Sequence, residues 1–359
     1  MLSLRFWYLT LYIVLMATSK YTEAGVNIDT GMQIVKDIKK QVRETFSPAV
    51  LTDIGLFGGL FDINKTNSPA HPVLVSSIDG VGTKLHIAAQ LNKFYNAGRD
   101  IVAHCCNDIV VQGARPLFFL DYVASAELGP DAVKEIITGI ADECKNNGCA
   151  LLGGETAEMP GTYVAGQYDL VGCIVGVVDR KKIIDGKTIS TGDVIIGLPS
   201  SGLHTNGYSL ARKVLLTDAK IDLNDIPEGC ERTLGDILLE SHRSYTPMLL
   251  ELLEKFEIKG LAHITGGGLI ENVPRILPEN VDAKIDLAKI DIPPIYTLIQ
   301  KLGEVELEEM FRVFNMGIGM TVFVKANDAE KIMEEISKIG LKPEIIGEVV
   351  TGNKKVILK

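Results

Sequence analysis

The sequence predicts an α/β or α+β protein with two domains, and three observations support this prediction. Short runs of apolar residues typical of strands alternate with segments in which apolar residues recur at helical spacing. The chain has 359 residues, against ~100–200 residues for one typical domain. Hydrophobic residues make up 46% and charged residues 23% of the chain, which are globular proportions and exclude an intrinsically disordered protein.

The predicted strands are short apolar runs bounded by glycine, proline or acidic residues. The first runs over residues 72–78 and stops at Asp79-Gly80. The other predicted strands cover residues 117–123, 150–152, 170–178, 193–198, 321–324 and 356–358.

The predicted helices are amphipathic segments between these strands. Residues 131–145 place apolar side chains on one face, and Gly148 lies just beyond the end of this helix. Further helices are expected from Asn206 towards Leu216 and over residues 245–256. A last helix carries a stripe made of Ala329, Ile332, Met333, Ile336 and Ile339.

Residues 1–17 are excluded from the fold prediction. Residues 1–17 contain one charge, Arg5, followed by a short apolar run from Leu9. This pattern is typical of a secretory signal and is short for a membrane span. The alternative is a start codon assigned too early, with Met16 as an ordinary cytosolic N-terminus.

The six cysteines form no C-x-x-C pair and no small secreted framework, which favours the early-start alternative and a reduced, cytoplasmic protein. His104-Cys105-Cys106 is interpreted as a set of buried residues, because three adjacent residues do not easily face one tetrahedral ion. A charged, glycine-containing stretch at residues 181–192 predicts a domain boundary. We therefore expect a prefix over residues 1–16, an N-terminal domain over 17–186 and a C-terminal domain over 187–359.

The charge balance restricts the class of partner. The 46 acidic and 36 basic residues give a formal net charge of −10, which argues against a nucleic-acid partner. We expect no membrane partner either. The charge leaves room for a small phosphate ligand that carries its own metal ion.

Glycine is in surplus, with 35 residues, and many of the glycines stand beside acids, amides and histidines at predicted strand ends. Asp79, Asp108 and Glu155 are hard oxygen ligands of the kind that Mg²⁺ takes together with nucleotide phosphates. Glycine lets backbone N–H groups face phosphate oxygens, and Lys84 offers a positive charge for them. The pattern predicts phosphoryl transfer. The five segments are residues 79–84, 107–113, 153–161, 200–207 and 263–268.

The standard nucleotide-binding motifs do not occur in the sequence. Gly80 and Gly82 begin a G-x-G-x-x-G pattern, but Leu85 stands where its third glycine belongs. A P-loop ending at Gly186-Lys187-Thr188 would need glycine where Lys181 stands. Each glycine segment alone is first of all a turn signal, so the prediction depends on all five together.

Longer motifs resemble a known family from about residue 21 to the C-terminus, in the same order. Asp-Gly-Val-Gly-Thr-Lys at 79–84 and Gly-Gly-Glu at 153–155 are shared with selenophosphate synthetase and thiamine-monophosphate kinase. Three more specific motifs are Thr-Ala-Glu-Met-Pro-Gly at 156–161, His-Thr-Asn-Gly-Tyr-Ser at 204–209 and Phe-Asn-Met-Gly-Ile-Gly at 314–319. The chain thus resembles the phosphoribosylformylglycinamidine cyclo-ligase family. It departs from the family at Ile78, where threonine is usual, and at Leu203, where proline is common.

The resemblance implies a fold and a reaction. The family pairs two α/β domains with mixed sheets covered by helices, and it forms homodimers in which strands of both subunits build a barrel. Its members use ATP and Mg²⁺ to close the imidazole ring of 5-aminoimidazole ribonucleotide from formylglycinamidine ribonucleotide, in purine biosynthesis. Phosphorylation of the amide oxygen turns it into a good leaving group, and ADP and phosphate are released.

The resemblance also assigns site residues, in overlapping groups. The catalytic residues would be His204, Lys84 and Asp108. The Mg²⁺ ligands would be Asp79, Asp108 and Glu155. The ATP site would consist of Asp79, Gly80, Gly82, Thr83, Lys84, Asn107, Asp108, Gly154 and Glu155. The substrate would contact Ser201, Gly202, His204, Asn206, Thr265, Gly266 and Gly267.

Other interpretations stay open. The chain could be a related ATP-dependent kinase or synthetase, or a nucleotide-binding protein without turnover. Asn206 could cap a helix, and His204 or His263 could be structural. Asp121 and Asp169 could form turns at strand ends, and the glycine segment at residues 55–59 could be a mobile lid or a plain loop.

Overall fold

The computed structural model describes residues 28–54 and 58–359. The apolar prefix, the following residues up to 27 and residues 55–57 of the glycine segment lie outside the described residues. The described chain forms two mixed β-sheets that follow one another along the sequence. The predicted domain boundary at residues 186 and 187 falls between the last strand of the first sheet and the first strand of the second, and it stays a prediction.

The first sheet has the strand order β1-β4-β2-β3, in which the β2–β3 pair is parallel and the other pairs are antiparallel. Helix α3 packs across β1, β4 and β2, so one face of this sheet is covered. The strands are β1 Pro72–Gly80, β2 Arg115–Ser125, β3 Ala150–Glu158 and β4 Tyr168–Asp179. The helices of this half are α1 Ile28–Arg43, α2 Leu85–Leu91, α3 Tyr95–Val110 and α4 Pro130–Asn146.

The second sheet has the order β10-β7-β9-β5-β8-β6, with a parallel β10–β7 pair. Its strands are β5 Asp193–Pro199, β6 Gly260–His263, β7 Val281–Ile285, β8 Ile318–Lys325, β9 Glu344–Thr351 and β10 Val356–Leu358. Its helices are α5 Tyr208–Arg212, α6 Leu234–Leu238, α7 Thr246–Lys255, α8 Gly268–Asn272, α9 Pro294–Gly303, α10 Leu307–Val313 and α11 Ala326–Ser337. A π-helical turn, Lys213–Asp218, extends α5. The 3₁₀ turns are Ile63–Lys65, Gly82–Lys84, Arg180–Lys182, Val273–Arg275 and Leu287–Lys289.

Helices α3 and α4 pack unusually closely because each presents a glycine to the other. A Cβ on Gly98 would lie 2.0 Å from the Ile136 carbonyl oxygen, and one on Gly139 would lie 2.1 Å from the Tyr95 carbonyl oxygen. The predicted apolar face of α4 is buried in this contact. The close packing fixes α3 against the sheet, and α3 carries several site residues.

The predicted strands all exist, and most of them are longer in the structure. Three predictions were wrong in detail. Asn107 and Asp108 lie near the C-terminal end of α3, whereas the sequence analysis placed residues 107–113 among the glycine segments at predicted strand ends. Residues 153–158 continue β3 instead of forming a loop, because they pair with β2 as far as Ser125. The predicted stripe of α11 also ends early, since the helix stops at Ser337 and Ile339 is exposed.

In the described part of the chain, no helix combines the length and the apolar character needed to cross a bilayer.

Candidate active site

Two carboxylates from the first half of the chain meet at one imidazole. Asp79 stands at the end of β1, and its Oδ2 lies 2.8 Å from His104 Nε2. Asp108, one turn after His104 on α3, places its Oδ2 3.8 Å from the same nitrogen and accepts a hydrogen bond from Ser77 at 3.0 Å. Burial lowers the pKa of His104, but the two carboxylates outweigh it and raise that pKa.

The second half of the chain completes this cluster with two more histidines. His263, the last residue of β6, places Nδ1 2.8 Å from Asp108 Oδ1. Its Nε2 lies 3.1 Å from Nε2 of His242. Burial raises the pKa of Asp108, but His263 and His104 lower it to about 2. Asp108 is therefore an anion at neutral pH, suited to holding a cation and poorly suited to removing a proton.

His204 lies on the loop after β5 and is almost fully buried. Its backbone has a φ of 61°, in the left-handed region that few non-glycine residues adopt. The backbone N–H of Ser201 donates to Nε2 at 3.1 Å, so a neutral ring carries its proton on Nδ1. Nδ1 is buried and has no hydrogen-bond partner among the described residues. Burial and nearby positive groups hold the pKa of His204 well below its usual range.

Lys84 is fully buried beneath this cluster, at the start of α2. Its ammonium lies 2.7 Å from Asp100 Oδ2 and donates to the carbonyl oxygens of His204 and Glu240 at 3.2 and 2.6 Å. Two of the three ammonium donors are therefore used by backbone carbonyl oxygens, and Asp100 neutralises the charge as an ion pair. The geometry therefore shows Lys84 joining the two halves of the chain, and its predicted contact with a phosphoryl group stays a prediction.

Glu155 lies apart from Asp79 and Asp108 within one chain. Asp79, Gly172, Asp121 and Gly154 form one row across β1, β4, β2 and β3. Three strand spacings separate the ends of this row, roughly 14 Å. Glu155 follows Gly154 and projects from the opposite face of the sheet. A single chain therefore does not bring the three predicted Mg²⁺ ligands together.

Glu155 and Gly154 instead line a cavity of about 830 Å³ beside β3, together with Gly58, Gly59 and Asp121. Gly154 leaves room for the Asp121 carboxyl, because a Cβ there would lie 2.3 Å from Asp121 Oδ1. Burial raises the pKa of Asp121 to about 7. Gly58 and Gly59, from the glycine segment at residues 55–59, thus border a cavity of the size that ligands occupy.

Three of the predicted substrate residues line two further cavities, Gly266 and Gly267 the first and Thr265 the second. One cavity, of about 750 Å³, is lined by Gly207, Gly266, Gly267 and Arg312 among others. Asn206 does not cap α5, whose N-cap is Gly207. Its Nδ2 is buried without a hydrogen-bond partner among the described residues. This unpartnered donor favours a ligand contact over the capping alternative.

A smaller cavity, of about 370 Å³, is lined by Asp108, His263, Thr265, Ser77 and Arg275 among others. It places Thr265, a predicted substrate residue, beside the acidic cluster. Arg275 adds a positively charged side chain to the lining of this cavity.

The remaining predicted residues stabilise the loops of the site. Gly82 has a φ of 69° in the turn before α2, and Thr83 contacts Ser209 at 3.2 Å. The Gly80 N–H donates to Asp79 Oδ1 at 2.6 Å. The Gly202 carbonyl oxygen accepts hydrogen bonds from Tyr296 and Asn315.

Sequence reasoning missed His104 and His242, and it gave little weight to His263. No local motif marks these three, because they come from α3, the segment before α7 and β6 and meet only in the folded chain. The assembled groups are two ionised carboxylates, a buried neutral imidazole with a free N–H, and an arginine beside a cavity. This set can hold cations and phosphate oxygens and can donate a hydrogen bond to a developing negative charge.

Two family models match the chain. The model described as AIR synthase related protein, N-terminal domain, matches residues 62–178. The model described as AIR synthase related protein, C-terminal domain, matches residues 190–359. Among solved structures, thiamine-monophosphate kinase from Stenotrophomonas maltophilia K279a aligns with a TM-score of 0.66 at 18% identity, over 91% of this chain and 95% of that one. The hydrogenase maturation protein HypE in complex with ATP has a TM-score of 0.66 at 15% identity, over 91% and 90%. These two structures share the fold.

Curated relatives are much more similar in sequence. The phosphoribosylformylglycinamidine cyclo-ligase of Bacillus cereus (strain AH187) is 51% identical over 332 residues, which cover 92% of this chain and 96% of the relative. That of Alkaliphilus metalliredigens (strain QYMF) is 48% identical over 338 residues, covering 94% and 97%. Such identity along nearly the whole chain, with both domain models matched, shows that this chain belongs to the phosphoribosylformylglycinamidine cyclo-ligase family.

Proposed function

We propose that this chain converts formylglycinamidine ribonucleotide and ATP into 5-aminoimidazole ribonucleotide, ADP and phosphate, as a ligase of purine biosynthesis in the cytoplasm. The observation that carries the proposal is that the chain is 48–51% identical to curated cyclo-ligases over more than nine-tenths of its length. The cluster of Asp79, Asp108, His204 and His263, in which the two histidines are buried and the two carboxylates partly exposed, supplies groups that fit this chemistry.

The reaction needs a leaving group where the substrate has an amide oxygen. Transfer of a phosphoryl group from ATP to that oxygen forms an iminophosphate, and the oxygen then departs with the phosphate when a substrate nitrogen attacks the same carbon. Positioning and charge neutralisation are the main tasks of the protein in phosphoryl transfer. The cavity of about 370 Å³ that Asp108 and His263 line gives a substrate room beside this contact.

His204 is proposed as the donor to the oxygen that develops negative charge. Its ring is neutral, its Nε2 is held by the Ser201 N–H, and its Nδ1–H has no partner within the described chain. A preoriented donor of this kind stabilises a transition state without reorganisation. Asn206, two residues later, is proposed to donate to the ribonucleotide in the same way.

Asp79 and Asp108 are proposed to hold Mg²⁺ with the phosphates of ATP. Both carboxylates are partly exposed, with 43% and 27% of their side-chain surface accessible, so each keeps oxygens that can face a hydrated ion. The ion would neutralise charge on the transferred phosphoryl group. Glu155 keeps a proposed role beside the nucleotide, because it lines the 830 Å³ cavity and projects from the exposed face of the sheet.

That exposed face also supports a homodimer. Ile78, Leu74 and Leu120 are 69%, 61% and 36% exposed on the side of the first sheet that α3 does not cover. Ile78 and Leu120 both lie opposite Cys173, so they form a continuous apolar row. A sheet face of this kind normally packs against another layer. A second copy of the same chain, presenting the same face, would cover it with two-fold symmetry.

The test is an assay for ATP-dependent formation of 5-aminoimidazole ribonucleotide by the purified chain. We expect turnover in the wild type, and turnover lower by at least about 10²-fold in Asp108→Asn and in His204→Ala although both variants fold. Phosphate release with other substrates, but none with formylglycinamidine ribonucleotide, would identify a related kinase or synthetase instead. ATP binding without any turnover would identify a nucleotide-binding protein. Full activity in both variants would show that Asp108 and His204 are not catalytic residues.

A further inference from the structure

The cavity of about 370 Å³ beside Asp108 and His263 contains an arginine to which the proposed function assigns no role. Arg275 ends the 3₁₀ turn Val273–Arg275, and it lines this cavity. Among the described residues, its guanidinium has no ion-pair partner and no hydrogen-bond partner. A guanidinium is always protonated in proteins and has five N–H donors in one plane. All of these donors are therefore available to a ligand.

The cavity lies between the two halves of the chain, so a ligand bound there contacts both. The first half contributes Asp108 and Gln112, from the C-terminal end of α3 and the turn that follows it. The second half contributes Thr265 and Arg275. The Gln112 carboxamide also has no partner within the described chain. The cavity volume is within the roughly 300–1,000 Å³ that small-molecule sites occupy.

The two charged side chains of this cavity give a bound ligand a preferred direction. Asp108 is an anion, and Arg275 is a cation that forms no ion pair with it. A ligand with one anionic end avoids repulsion only when that end lies at Arg275 and its other end points towards Asp108. A ribonucleotide has this polarity, because its phosphate is at one end and its base or base precursor is at the other.

We propose that Arg275 binds the phosphate of the ribonucleotide substrate and makes the enzyme specific for the ribonucleotide over the ribonucleoside. This inference rests on the proposed function, because it places the substrate of that reaction. Arginine donates two parallel hydrogen bonds to phosphate oxygens, and the Gln112 amide adds another donor. The formylglycinamidine end of the substrate then lies towards Asp108 and His263, where the phosphoryl transfer is proposed.

The two larger cavities are less suited to a phosphate group. The cavity of about 750 Å³ contains Arg312, but this guanidinium is paired with Glu271. Three further glutamates line the same cavity. The described residues that line the cavity of about 830 Å³ include three acidic side chains and no lysine or arginine. A phosphate without its own cation is repelled by both, so the charges select the cavity that contains Arg275.

The phosphate contact would act through binding and orientation, because the phosphate does not react. Binding energy from a remote group of the substrate positions the reacting atoms. A site built to hydrogen-bond one substrate group rejects an analogue that lacks it, since the polar groups of the site are then left unpaired. Removal of either the phosphate or the guanidinium should therefore lower kcat/KM, and removal of both should cost little more than removal of one.

The test compares two substrates in two proteins. kcat/KM is measured for formylglycinamidine ribonucleotide and for its dephosphorylated ribonucleoside, with the wild type and with Arg275→Gln. We expect the variant to lose about 10- to 100-fold with the ribonucleotide, and the loss should be confined to that substrate. Arg275→Lys keeps the charge without the planar pair of donors, so it should regain part of the loss. An equal loss with both substrates would show a structural role and overturn the proposal, as would no loss with the ribonucleotide.

Two further arginine variants serve as comparisons. The preference for the ribonucleotide should persist in Arg312→Gln. If Arg312→Gln abolished this preference and Arg275→Gln kept it, the phosphate would bind in the cavity of about 750 Å³ and the proposal would be wrong. Arg232→Gln is the matched surface control, since Arg232 pairs with Glu240 outside both cavities, and it should retain wild-type kinetics with both substrates. Arg275 is exposed, so its replacement should leave the melting temperature of the ligand-free chain unchanged.

A binding measurement without turnover separates this inference from the proposed function. Ribose 5-phosphate is titrated into the full chain by calorimetry, without ATP. We expect the wild type to bind it at least about tenfold more tightly than Arg275→Gln does. If the wild type showed this binding but did not convert the ribonucleotide, the proposed function alone would be refuted. If the wild type converted the ribonucleotide and Arg275→Gln bound ribose 5-phosphate equally well, the role of Arg275 alone would be refuted.

Discussion

Lys84 and Asp100 form an ion pair of 2.7 Å in which neither side chain has any solvent-accessible surface. The pair lies between the two halves of the chain, and the ammonium also donates to the carbonyl oxygens of His204 and Glu240. Breaking a buried pair leaves an uncompensated charge in a medium that solvates it poorly. The contact therefore links the position of the His204 loop to the stability of the whole chain.

We predict that Lys84→Met lowers the free energy of unfolding by about 3–5 kcal/mol, because Asp100 is left buried and unpaired. Urea denaturation measures this change. Lys93→Met is the matched control, since the Lys93–Asp236 pair is largely exposed and such pairs contribute about 0–1 kcal/mol. If Lys84 acts through structure, Lys84→Met combined with Asp100→Leu should regain stability and part of the activity. If the double variant were stable but inactive, the result would instead support the predicted contact between Lys84 and the transferred phosphoryl group.

We predict that His204→Ala lowers the rate of ring closure by about 10²–10³, the usual effect of losing one donor to a developing oxyanion. Any residue with a Cβ is strained at φ 61° by ~1–2 kcal/mol, so histidine already carries this cost and alanine keeps it. Asparagine tolerates this conformation better. His204→Asn should therefore keep the wild-type melting temperature within a few degrees while losing most of the activity. Wild-type turnover in His204→Asn would contradict a donor role for the imidazole.

We predict that Asp121→Asn is more stable than the wild type at pH 8 and nearly equal to it at pH 4. Burial raises the pKa of Asp121 to about 7, so the native state binds more protons than the unfolded state, whose pKa is about 3.9. Wild-type stability contributed by this group is complete below pH 4 and is lost as the pH rises to 7. The difference should approach a limit on the order of 4 kcal/mol. Urea denaturation across this pH range measures it.

Asp222→Asn is the control for that series, with the opposite sign. The backbone N–H and side chain of Asn224 lower the pKa of Asp222, so this carboxylate stabilises the fold above its unfolded pKa and the variant should lose stability there. An advantage of Asp121→Asn that does not grow with pH would show that its carboxyl ionises normally in the native state.

We predict that Leu74→Lys converts a homodimer into monomers, because a charge would enter the apolar sheet face that the second copy covers. Leu74 is 61% exposed in the single chain, so the substitution has little effect on folding of the monomer. Light scattering coupled to gel filtration measures the mass. Ile339→Lys is the control, since Ile339 is 56% exposed beyond the end of α11 and outside this face. A wild-type chain that elutes as a monomer would refute the dimer.

The sequence predicted single elements well where local pattern dominates. The helix expected over residues 131–145 exists as Pro130–Asn146, because its apolar spacing and the nearby Gly148 are local signals. Helix α3 was missed, since its residues are buried almost all round between the sheet and α4 and show no clear amphipathic period. For the same reason Asp108 was placed beside a strand end, although it faces the site from a helix.

The sequence by itself determined the family, the two-part α/β organisation and the types of group that the reaction uses, because ordered motifs and residue types are local properties of the chain. Only the tertiary structure decided how those groups are paired. It buried Lys84 against Asp100, separated Glu155 from Asp79, and brought His104 and His263 to the carboxylates. The physical reason is that burial, hydrogen-bond direction and charge neutralisation depend on residues far apart in sequence. Those contacts exist only once the two halves have packed together.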